Sequence, residues 1–429
     1  MQRLRSSDVT FGAAFAAVVN DRRESDAGVA SDVAAIIAEV RARGDEALAE
    51  YTARFDGHLL AGDTWQISAE ECRDAFDALA PDLRAALELA AQRIRAYHEA
   101  QLPEDRDHID AAGVRLGAKW RPVDGAGLYV PGGRAAYPSS LLMNAIPAKV
   151  AGVGRLVVTT PTPNGVVNPL VLAAAHLAGV DEVWRVGGAQ AVAALAYGTE
   201  RIAPVDVITG PGNAWVAEAK RQLFGVVGID MVAGPSEILV IADAANDPQW
   251  IAADLLSQAE HDPLAQAILI TDDAAFADAV ETAVQGEIAL LPTAAVAKAS
   301  WDAHGVIIVV GSLDEAPALA NALAAEHVEI ATADPEALFD GIRHAGSVFL
   351  GRHTPEAIGD YIAGPNHVLP TGRRARFASG LSVLDFMKRT SFIAVSEASI
   401  AAIGPAAIAL AEAEGLAAHA RSIELRLGI

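Results

Sequence analysis

Apolar residues in the first quarter of the chain recur mostly at three- and four-residue steps. From Ser31 to about Gln101 they include Ile36, Val40 and Leu87. This spacing is typical of helices that bury one face. We therefore predict a helical approach region ahead of any sheet.

A shorter apolar stretch runs from Val9 to Val19, close behind two arginines. It loosely resembles a secretion signal, but Thr10 and Gly12 interrupt it and no small-residue cleavage site follows. The spacing instead predicts a short amphipathic helix in an N-terminal helical extension, residues 1–26. No stretch reaches about 18 uninterrupted apolar residues, so no membrane span is predicted.

From Ala126 onward, short runs rich in β-branched residues alternate with alanine-rich helical segments. Such alternation predicts βαβ units around parallel sheets. The first set of predicted strands is 127–130, 155–160, 182–186 and 205–209, and the second is 237–242, 267–271, 305–310 and 347–350. The predicted fold class is therefore α/β, with two doubly wound, incomplete Rossmann-like parallel-sheet domains and small helical extensions at both ends.

We expect the following domain limits. Residues 27–127, with the helical approach region, and 237–380 form the main α/β domain, and residues 128–236 form a second α/β domain. After Gly380 the chain is expected to turn helical again. This tail, 381–429, is too short to make a core of its own and is expected to pack on another domain or on a partner subunit.

Composition narrows the classes of function. With 32 basic and 55 acidic residues, the net charge of −23 repels phosphate backbones, so binding to nucleic acid or to an anionic membrane is not expected. The single cysteine, Cys72, excludes an internal disulfide framework and a thiolate-rich zinc site. It fits a reducing cytoplasm, where we expect the protein to reside.

Glycine-rich turns follow the first set of strands, although no G-x-G-x-x-G stands between a strand and a helix. Glycine lets backbone N–H groups approach a ligand closely, so these turns could bind a nucleotide, or they could simply be tight βα turns. Three polar side chains in or beside them could contact a nicotinamide dinucleotide: Tyr129, Gln190 and Asn213.

Several imidazole, amide and carboxylate side chains between Gln258 and His419 are candidate metal ligands. Gln258 and His261 lie three apart on a predicted helix, and so on one face. Asp360 and His367 flank a predicted turn, 363–366, and near the carboxyl end Glu414 and His419 lie on either side of Gly415. Each could also be an ordinary surface or core residue. Together, Gln258, His261, Asp360 and His419 would make a nitrogen and oxygen ligand set suited to zinc.

Glu326 and His327 are candidate acid/base residues at the predicted end of a helix that begins near Leu313. Adjacent helical residues diverge by about 100°, so the pair would serve two separate proton transfers rather than bind one metal. A solvated helix end is the alternative interpretation.

From about Ala126 to His419 the chain resembles histidinol dehydrogenase through several long motifs. They are residues 129–140 (YVPGGRAAYPSS), 187–191 (GGAQA), 210–213 (GPGN), 233–237 (AGPSE), 258–262 (QAEHD), 326–327 (EH), 364–367 (GPNH) and 382–391.

The resemblance implies a zinc- and NAD-dependent homodimer in which residues 128–236 bind NAD. The implied zinc ligands are Gln258, His261, Asp360 and His419, the last supplied by the partner subunit, on which the tail would pack. The implied contacts to histidinol are Ser236, His327, Glu414 and the zinc ligands, and those to NAD are Tyr129, Gln190 and Asn213.

The implied reaction takes L-histidinol through its aldehyde to L-histidine, reducing two NAD molecules and completing histidine biosynthesis. His327 would accept the hydroxyl proton in the first oxidation, and Glu326 would activate the water that hydrates the aldehyde before the second. His367 would lie near these two residues and assist their proton transfers.

One segment departs from the family pattern. In 371–376, members of the family often carry a second glycine and a small residue in place of Arg373 and Arg374, and we expect both arginines to face solvent.

Three other functions are compatible with parts of the sequence. A sister enzyme of the same architecture could oxidise another small primary alcohol, such as a hydroxylated sulfonate, but Glu414 offers an anionic partner to a cationic amino alcohol. A regulatory protein without catalysis would not need both Glu326 and His327. An aldehyde dehydrogenase with a cysteine nucleophile is disfavoured because Cys72 lies in the helical region, far from the glycine turns.

Overall fold

The computed structural model describes residues 1–21, 27–62, 64–132 and 137–429. Its strands are β1 (Gln2–Arg5), β2 (Gln66–Ile67), β3 (Arg106–Ile109), β4 (Arg115–Pro122), β5 (Gly125–Tyr129), β6 (Arg155–Thr159), β7 (Glu182–Trp184), β8 (Val207–Thr209), β9 (Gly228–Ile229), β10 (Glu237–Ala242), β11 (Gln266–Thr271), β12 (Val306–Val309), β13 (His327–Ala331), β14 (Ser347–Leu350) and β15 (Met387–Ala394).

The helices are α1 (Phe11–Asn20), α2 (Ala27–Arg43), α3 (Asp45–Asp56), α4 (Ala69–Asp77), α5 (Pro81–Glu99), α6 (Pro138–Ala151), α7 (Pro169–Ala178), α8 (Gly188–Tyr197), α9 (Ala214–Leu223), α10 (Pro248–Ala259), α11 (Ala274–Ile288), α12 (Ala294–His304), α13 (Ala316–Leu323), α14 (Pro335–Phe339), α15 (Glu356–Tyr361), α16 (Glu397–Ala413) and α17 (Ala417–Leu427). Within the described ranges, none of these helices combines the length and apolar character that a bilayer crossing requires.

The first sheet is parallel throughout, with strand order β1-β12-β11-β10-β13-β14. Its central strands β10 and β11 are buried at every position. Continuous apolar runs of this kind are typical of a parallel sheet covered on both faces. The predicted α/β class with parallel sheets is confirmed, and the four strands predicted from the second set of apolar runs all belong to this sheet.

The second sheet has the order β2-β7-β6-β5-β8-β9 and is parallel except at β2, which pairs antiparallel with β7. The helices of the approach region pack on this side of the molecule. Helix α2 contacts α8 and α9, α4 contacts α7, and α5 contacts α6. The domain limits given above stay a prediction.

The N-terminal segment is only partly helical. Helix α1 forms where the apolar stretch predicts it, but residues before it form β1, which extends the first sheet beside β12. Leu4 is buried there in the same core as Val18 of α1. The first residues of the chain are therefore part of the first sheet.

Residues after Gly380 are not all helical as expected. Strand β15 pairs antiparallel with β4 along its whole length, and β4 pairs with β3, giving a three-stranded sheet. Most positions of β15 are exposed and half are polar, so the sequence contains no buried apolar run that would predict this strand. Helices α16 and α17 follow and pack on each other.

Arg373 does not face solvent, which corrects the expectation for the segment 371–376. Only 2% of it is exposed, and its guanidinium lies 3.3 Å from the carboxylate of Glu237. Arg374 is half-buried and donates to the carbonyl oxygen of Thr371. A buried guanidinium needs a carboxylate and acceptors around it, and those come from residues distant in sequence.

Candidate active site

A cavity of about 390 Å³ brings together six of the eight residues that the resemblance implies as bases, zinc ligands or contacts to histidinol. They come from separate stretches of the chain, at the amino ends of β10 and β13, the end of α10 and the end of α15. The six are Ser236, Gln258, His261, Glu326, His327 and Asp360.

Gln258 and His261 are neighbours, although His261 is not on a helix as expected. Helix α10 ends at Ala259, and the backbone N–H of His261 donates to the carbonyl oxygen of Gln258 in the turn that follows. Gln258 Nε2 lies 3.3 Å from His261 Nδ1. The amide oxygen, Oε1, is buried and has no hydrogen-bond partner among the described residues. A buried amide oxygen in this state is expected to bind a ligand that fills the cavity.

Asp360 and His367 lie together in the wall of the same cavity. His367 Nδ1 is 2.8 Å from the main-chain oxygen of Asp360 and 3.8 Å from its carboxylate. Because a carbonyl oxygen only accepts, Nδ1 carries the hydrogen, and Nε2 lies 3.2 Å from the hydroxyl of Ser140. Burial lowers the pKa of His367, which favours its neutral form.

Glu326 and His327 lie at the start of β13, not at the end of a helix. Helix α13 ends at Leu323, and the pair enters the sheet beside β10. His327 Nδ1 donates to the carbonyl oxygen of Glu237 at 3.2 Å, which leaves the lone pair of Nε2 available. This Nε2 is buried without a hydrogen-bond partner in the described structure.

The Glu326 carboxylate accepts a hydrogen bond of 3.2 Å from the backbone N–H of Glu237 and another from the Ser236 side chain. Burial is the main reason that its pKa rises to about 7, and the charge of Glu237 adds to the rise. His327 acts in the opposite direction. The cavity therefore contains two bases of different kinds, an imidazole nitrogen and a carboxyl group that ionises near neutrality.

Sequence reasoning missed Glu356, which lines the same cavity. It is 2% exposed, and its carboxylate lies 3.6 Å from His327 Nε2 and accepts a hydrogen bond from Ser257. Burial, followed by the charge of Asp360, raises its pKa. Its position one turn before Asp360 on α15 was the available signal, because residues four apart share a helix face.

Two further carboxyls, those of Glu329 and Asp254, interact with Glu356. Glu329 on β13 shares a hydrogen bond with Asp254 of α10, and burial raises the pKa of both. Ligand atoms of His327, Glu356 and Asp360 lie within 4.8 Å of one another, close enough to share a cation. So many carboxyls near one imidazole stay together only if some are protonated or a cation is bound.

A second cavity, of about 680 Å³, lies at the carboxyl ends of the second-sheet strands and is lined by Tyr129, Gln190 and Asn213. This is the position at which open α/β sheets bind nucleotides. Gln190 is 2% exposed, and its Oε1 has no hydrogen-bond partner among the described residues. Gly133, in one of the predicted glycine turns, lies outside the described residues, as do 134–136.

The side chains of Tyr129 and Asn213 also form hydrogen bonds that stabilise the fold. The Tyr129 hydroxyl accepts from the backbone N–H of Gly188 at 3.0 Å, and burial raises its pKa to about 12. Asn213 caps α9 by accepting from the N–H groups of Trp215 and Val216, each at 3.1 Å. Its amide nitrogen stays available to a ligand, because the cap uses only the oxygen.

The two cavities share Pro131 and Asn213 as walls. The loop that carries Asn213 is fixed by a buried ion pair between Lys220 and Asp230. Lys220 donates to the carbonyl oxygen of Gly210 at 3.0 Å, and Asp230 accepts from the N–H of Gly210 at 2.9 Å. Gly210 has a φ of 112°, and a Cβ there would clash with the carbonyl oxygen of Tyr129. The ion pair and these hydrogen bonds therefore hold the wall between the cavities in place.

Glu414 and His419 are not brought to this cavity within one chain. Glu414 follows the end of α16 and His419 is on α17, and both side chains are exposed. Cys72 is buried with its pKa raised to about 11, mainly by burial, so it is not a nucleophile at neutral pH.

The sequence pattern that defines the histidinol dehydrogenases matches residues 19–427. The chain belongs to the histidinol dehydrogenase family. Histidinol dehydrogenase from Zymomonas mobilis subsp. mobilis is 62% identical over 425 residues, covering 99% of each chain. The enzyme of that name from Rhodospirillum rubrum is 62% identical over 426 residues, covering 99% of this chain and 98% of its own.

A crystal structure of histidinol dehydrogenase from Elizabethkingia anophelis has the same fold. It superposes with a TM-score of 0.95 at 35% sequence identity, covering 100% of this chain and 98% of that one. The similarity to histidinol dehydrogenases therefore spans both sheets, the antiparallel sheet and the helical tail.

Proposed function

We propose that this protein oxidises L-histidinol through L-histidinaldehyde to L-histidine, with two NAD molecules as acceptors, in the last steps of histidine biosynthesis. Membership of the histidinol dehydrogenase family supports the substrate over other small primary alcohols. The single observation that carries the chemistry is the pairing of two different bases, His327 Nε2 and the Glu326 carboxyl, in one cavity. Two successive oxidations need two such groups.

We propose Gln258, His261 and Asp360 as ligands of a divalent ion, zinc being the best match to nitrogen and oxygen donors without sulfur. The unpartnered Oε1 of Gln258 beside the His261 ring supports this set. His419 of the partner subunit would complete it. Of the trio His327, Glu356 and Asp360, we assign only Asp360 to the ion, since a carboxyl with a raised pKa is a poor ligand and His327 is needed as a base.

The second cavity is the proposed NAD site, with Gln190, Tyr129 and Asn213 as contacts. Its volume and its place at the strand ends fit a dinucleotide, and the buried, unpartnered Oε1 of Gln190 needs a donor. The shared wall at Pro131 and Asn213 supports transfer of hydride from one cavity to the other. Ser236 and Glu414 are proposed to contact histidinol together with His327 and the ion's ligands.

When bound, NAD accepts a hydride in each oxidation and the divalent ion holds the substrate and polarises its groups. In the first oxidation His327 Nε2 takes the hydroxyl proton as the carbon loses hydride, which leaves an aldehyde. In the second, ionised Glu326 removes a proton from water as the hydroxide adds to the aldehyde carbon, giving the anion of the hydrate. Loss of hydride from that anion then gives the carboxylic acid. His367 is proposed to assist from beside Asp360.

We further propose a homodimer with shared sites and a cytoplasmic location. Glu414 and His419 are exposed and do not line the cavity of their own chain. The tail also carries exposed apolar side chains, including Leu410, Leu416 and Leu425. Apolar residues gathered in this way support burial by a partner. The lone, buried cysteine supports a reducing compartment.

The test is a progress curve with zinc-loaded protein, L-histidinol and excess NAD. We expect two NADH and one L-histidine per histidinol consumed, and no comparable activity with a hydroxylated sulfonate or another small alcohol. Inactivity with histidinol, or turnover that stops at one NADH with free aldehyde as the product, would contradict the proposal.

A further inference from the structure

Residues 362–366 form a segment that links α15 to His367. Asp360 lies just before this linking segment, on α15, and His367 follows it directly. Helix α15 packs on α10, which contacts strands of the first sheet. Val368, in contrast, lies in one core with residues of α5 and α6, on the side of the second sheet. The linking segment therefore crosses from one side of the site to the other.

Arg93 of α5 binds the start of the linking segment. Its Nε donates to the carbonyl oxygen of Ile362 at 2.6 Å, and its Nη2 donates to that of Ala363 at 3.0 Å. Ile362 is the residue at which α15 ends. Carbonyl oxygens at the end of a helix have no partners inside the helix and carry partial negative charge, so a guanidinium is well suited to bind them. Arg93 thus caps the helix that carries Asp360.

Gly364 places the linking segment close against the same helix. Its φ is 114°, in the region that favours glycine. A Cβ there would lie 3.1 Å from the carbonyl oxygen of Arg93 and 3.4 Å from the Cβ of Tyr97. A residue with a side chain at this position would therefore push the linking segment away from α5.

Asn366 fixes the other end of the linking segment. Its side chain is buried, its Nδ2 donates to the carbonyl oxygen of Met143 on α6, and the same nitrogen lies 3.4 Å from Nε2 of the fully buried His98 on α5. Its Oδ1 accepts from the backbone N–H of Val368 at 2.9 Å. These contacts hold the backbone on both sides of His367.

The position of Asp360 depends on these contacts because α15 is short. The helix has six residues, and a helix of this length is not stable by itself in water. The backbone of Asp360 is also tied to the far end of the linking segment, since its main-chain oxygen accepts from His367 Nδ1 at 2.8 Å. A displacement of the segment would therefore move Asp360, and a ligand displaced by more than about 0.5 Å binds its ion less well.

We propose that Arg93 is a positioning residue for the metal site: by capping α15, it holds Asp360 in the place where the divalent ion binds. The described residues of the approach region, 31–101, do not line the cavity that contains Asp360. The effect of Arg93 is therefore transmitted through the backbone of the linking segment. The inference rests on the proposed role of Asp360 as a ligand.

The test measures the dissociation constant for zinc in the full-length protein, by competition with a chromogenic chelator. Arg93→Met removes the donors, and because Arg93 is exposed its replacement leaves no buried cavity. Zinc should bind about tenfold more weakly, the low end of the effect of losing a group that supports a metal ligand. Arg93→Lys can still donate to one of the two carbonyl oxygens and should recover part of this loss.

Arg84→Met is the matched control. Arg84 lies on the same helix, and its Nη2 donates to the carbonyl oxygens of Phe76 and Asp77 at 3.1 and 2.7 Å, where α4 ends. This variant loses the same kind of contact away from the cavity, and it should bind zinc as tightly as the unaltered protein.

Unchanged zinc binding in Arg93→Met, or equal weakening in Arg84→Met, would overturn the inference, since an arginine that only stabilises the fold would act alike at both positions. If Arg93→Met does not fold, Gly364→Ala decides, and unchanged zinc binding there overturns the inference. Asp360→Asn separates the two levels. Unchanged zinc binding in Asp360→Asn defeats the proposed ligand and this inference together, whereas weakened binding there beside unchanged binding in Arg93→Met defeats only this inference.

Discussion

Replacing Glu326 by glutamine should separate the two oxidations. Glutamine keeps the size of the side chain and can still accept from the Glu237 N–H, but it cannot take a proton from water. Oxidation of supplied L-histidinaldehyde should fall by about 10²- to 10⁴-fold, the usual range for a lost general base. Oxidation of L-histidinol to the aldehyde uses His327 and should change by only a few-fold.

The pH dependence of aldehyde oxidation follows from the ionisation of the same side chain, Glu326. With a pKa of about 7, Glu326 is about one-tenth ionised at pH 6 and about nine-tenths ionised at pH 8. The base form is the active one, so kcat/KM for the aldehyde should rise about tenfold between these pH values in the unaltered protein. The residual activity of Glu326→Gln should lack this rise.

The assay follows NADH in stopped-flow or steady-state experiments, with alcohol and aldehyde supplied separately. Glu329→Gln is a matched control: it is the same substitution, three residues further along the chain in β13, of a buried carboxyl whose raised pKa already keeps it protonated at neutral pH. It should leave both oxidations near their original rates. Equal loss of both oxidations in Glu326→Gln, with Glu329→Gln unaffected, would refute the division of roles.

Three further predictions concern the metal, the fold and the assembly. His261→Asn should lower bound zinc, measured by elemental analysis, together with both oxidations; normal zinc content would contradict its role as a ligand. Lys220→Met leaves Asp230 buried without its cation and should lower the free energy of unfolding in denaturant titrations by about 3–5 kcal/mol, and a change under 1 kcal/mol would mean that the pair contributes little. Mixing inactive His419 and His327 variants, after dissociation and reassociation, should restore part of the activity if sites are shared between subunits, and no restoration would count against sharing.

The sequence alone predicted the class of fold well. The runs at 238–242 and 267–270 are apolar throughout because helices cover both faces of a parallel sheet, and such runs appear directly in the chain. Strand β13 was missed because His327 and Glu329 interrupt its apolar residues, and both are buried by partners on other elements. Strand β15 was missed because its sheet is exposed.

The functional site likewise has parts that the sequence predicted and parts that it did not. Local spacing placed Gln258 beside His261, and a family resemblance joined them to Asp360, but only the fold brought Glu326 and His327 to the amino end of a strand next to Glu237. Spacing could not show that Arg373 is buried, since a guanidinium is buried only where distant residues supply acceptors and a counter-charge. Local pattern thus determined four of the strands in each of the two larger sheets. Tertiary structure decided which polar side chains are desolvated together, and therefore which of them ionise near neutral pH.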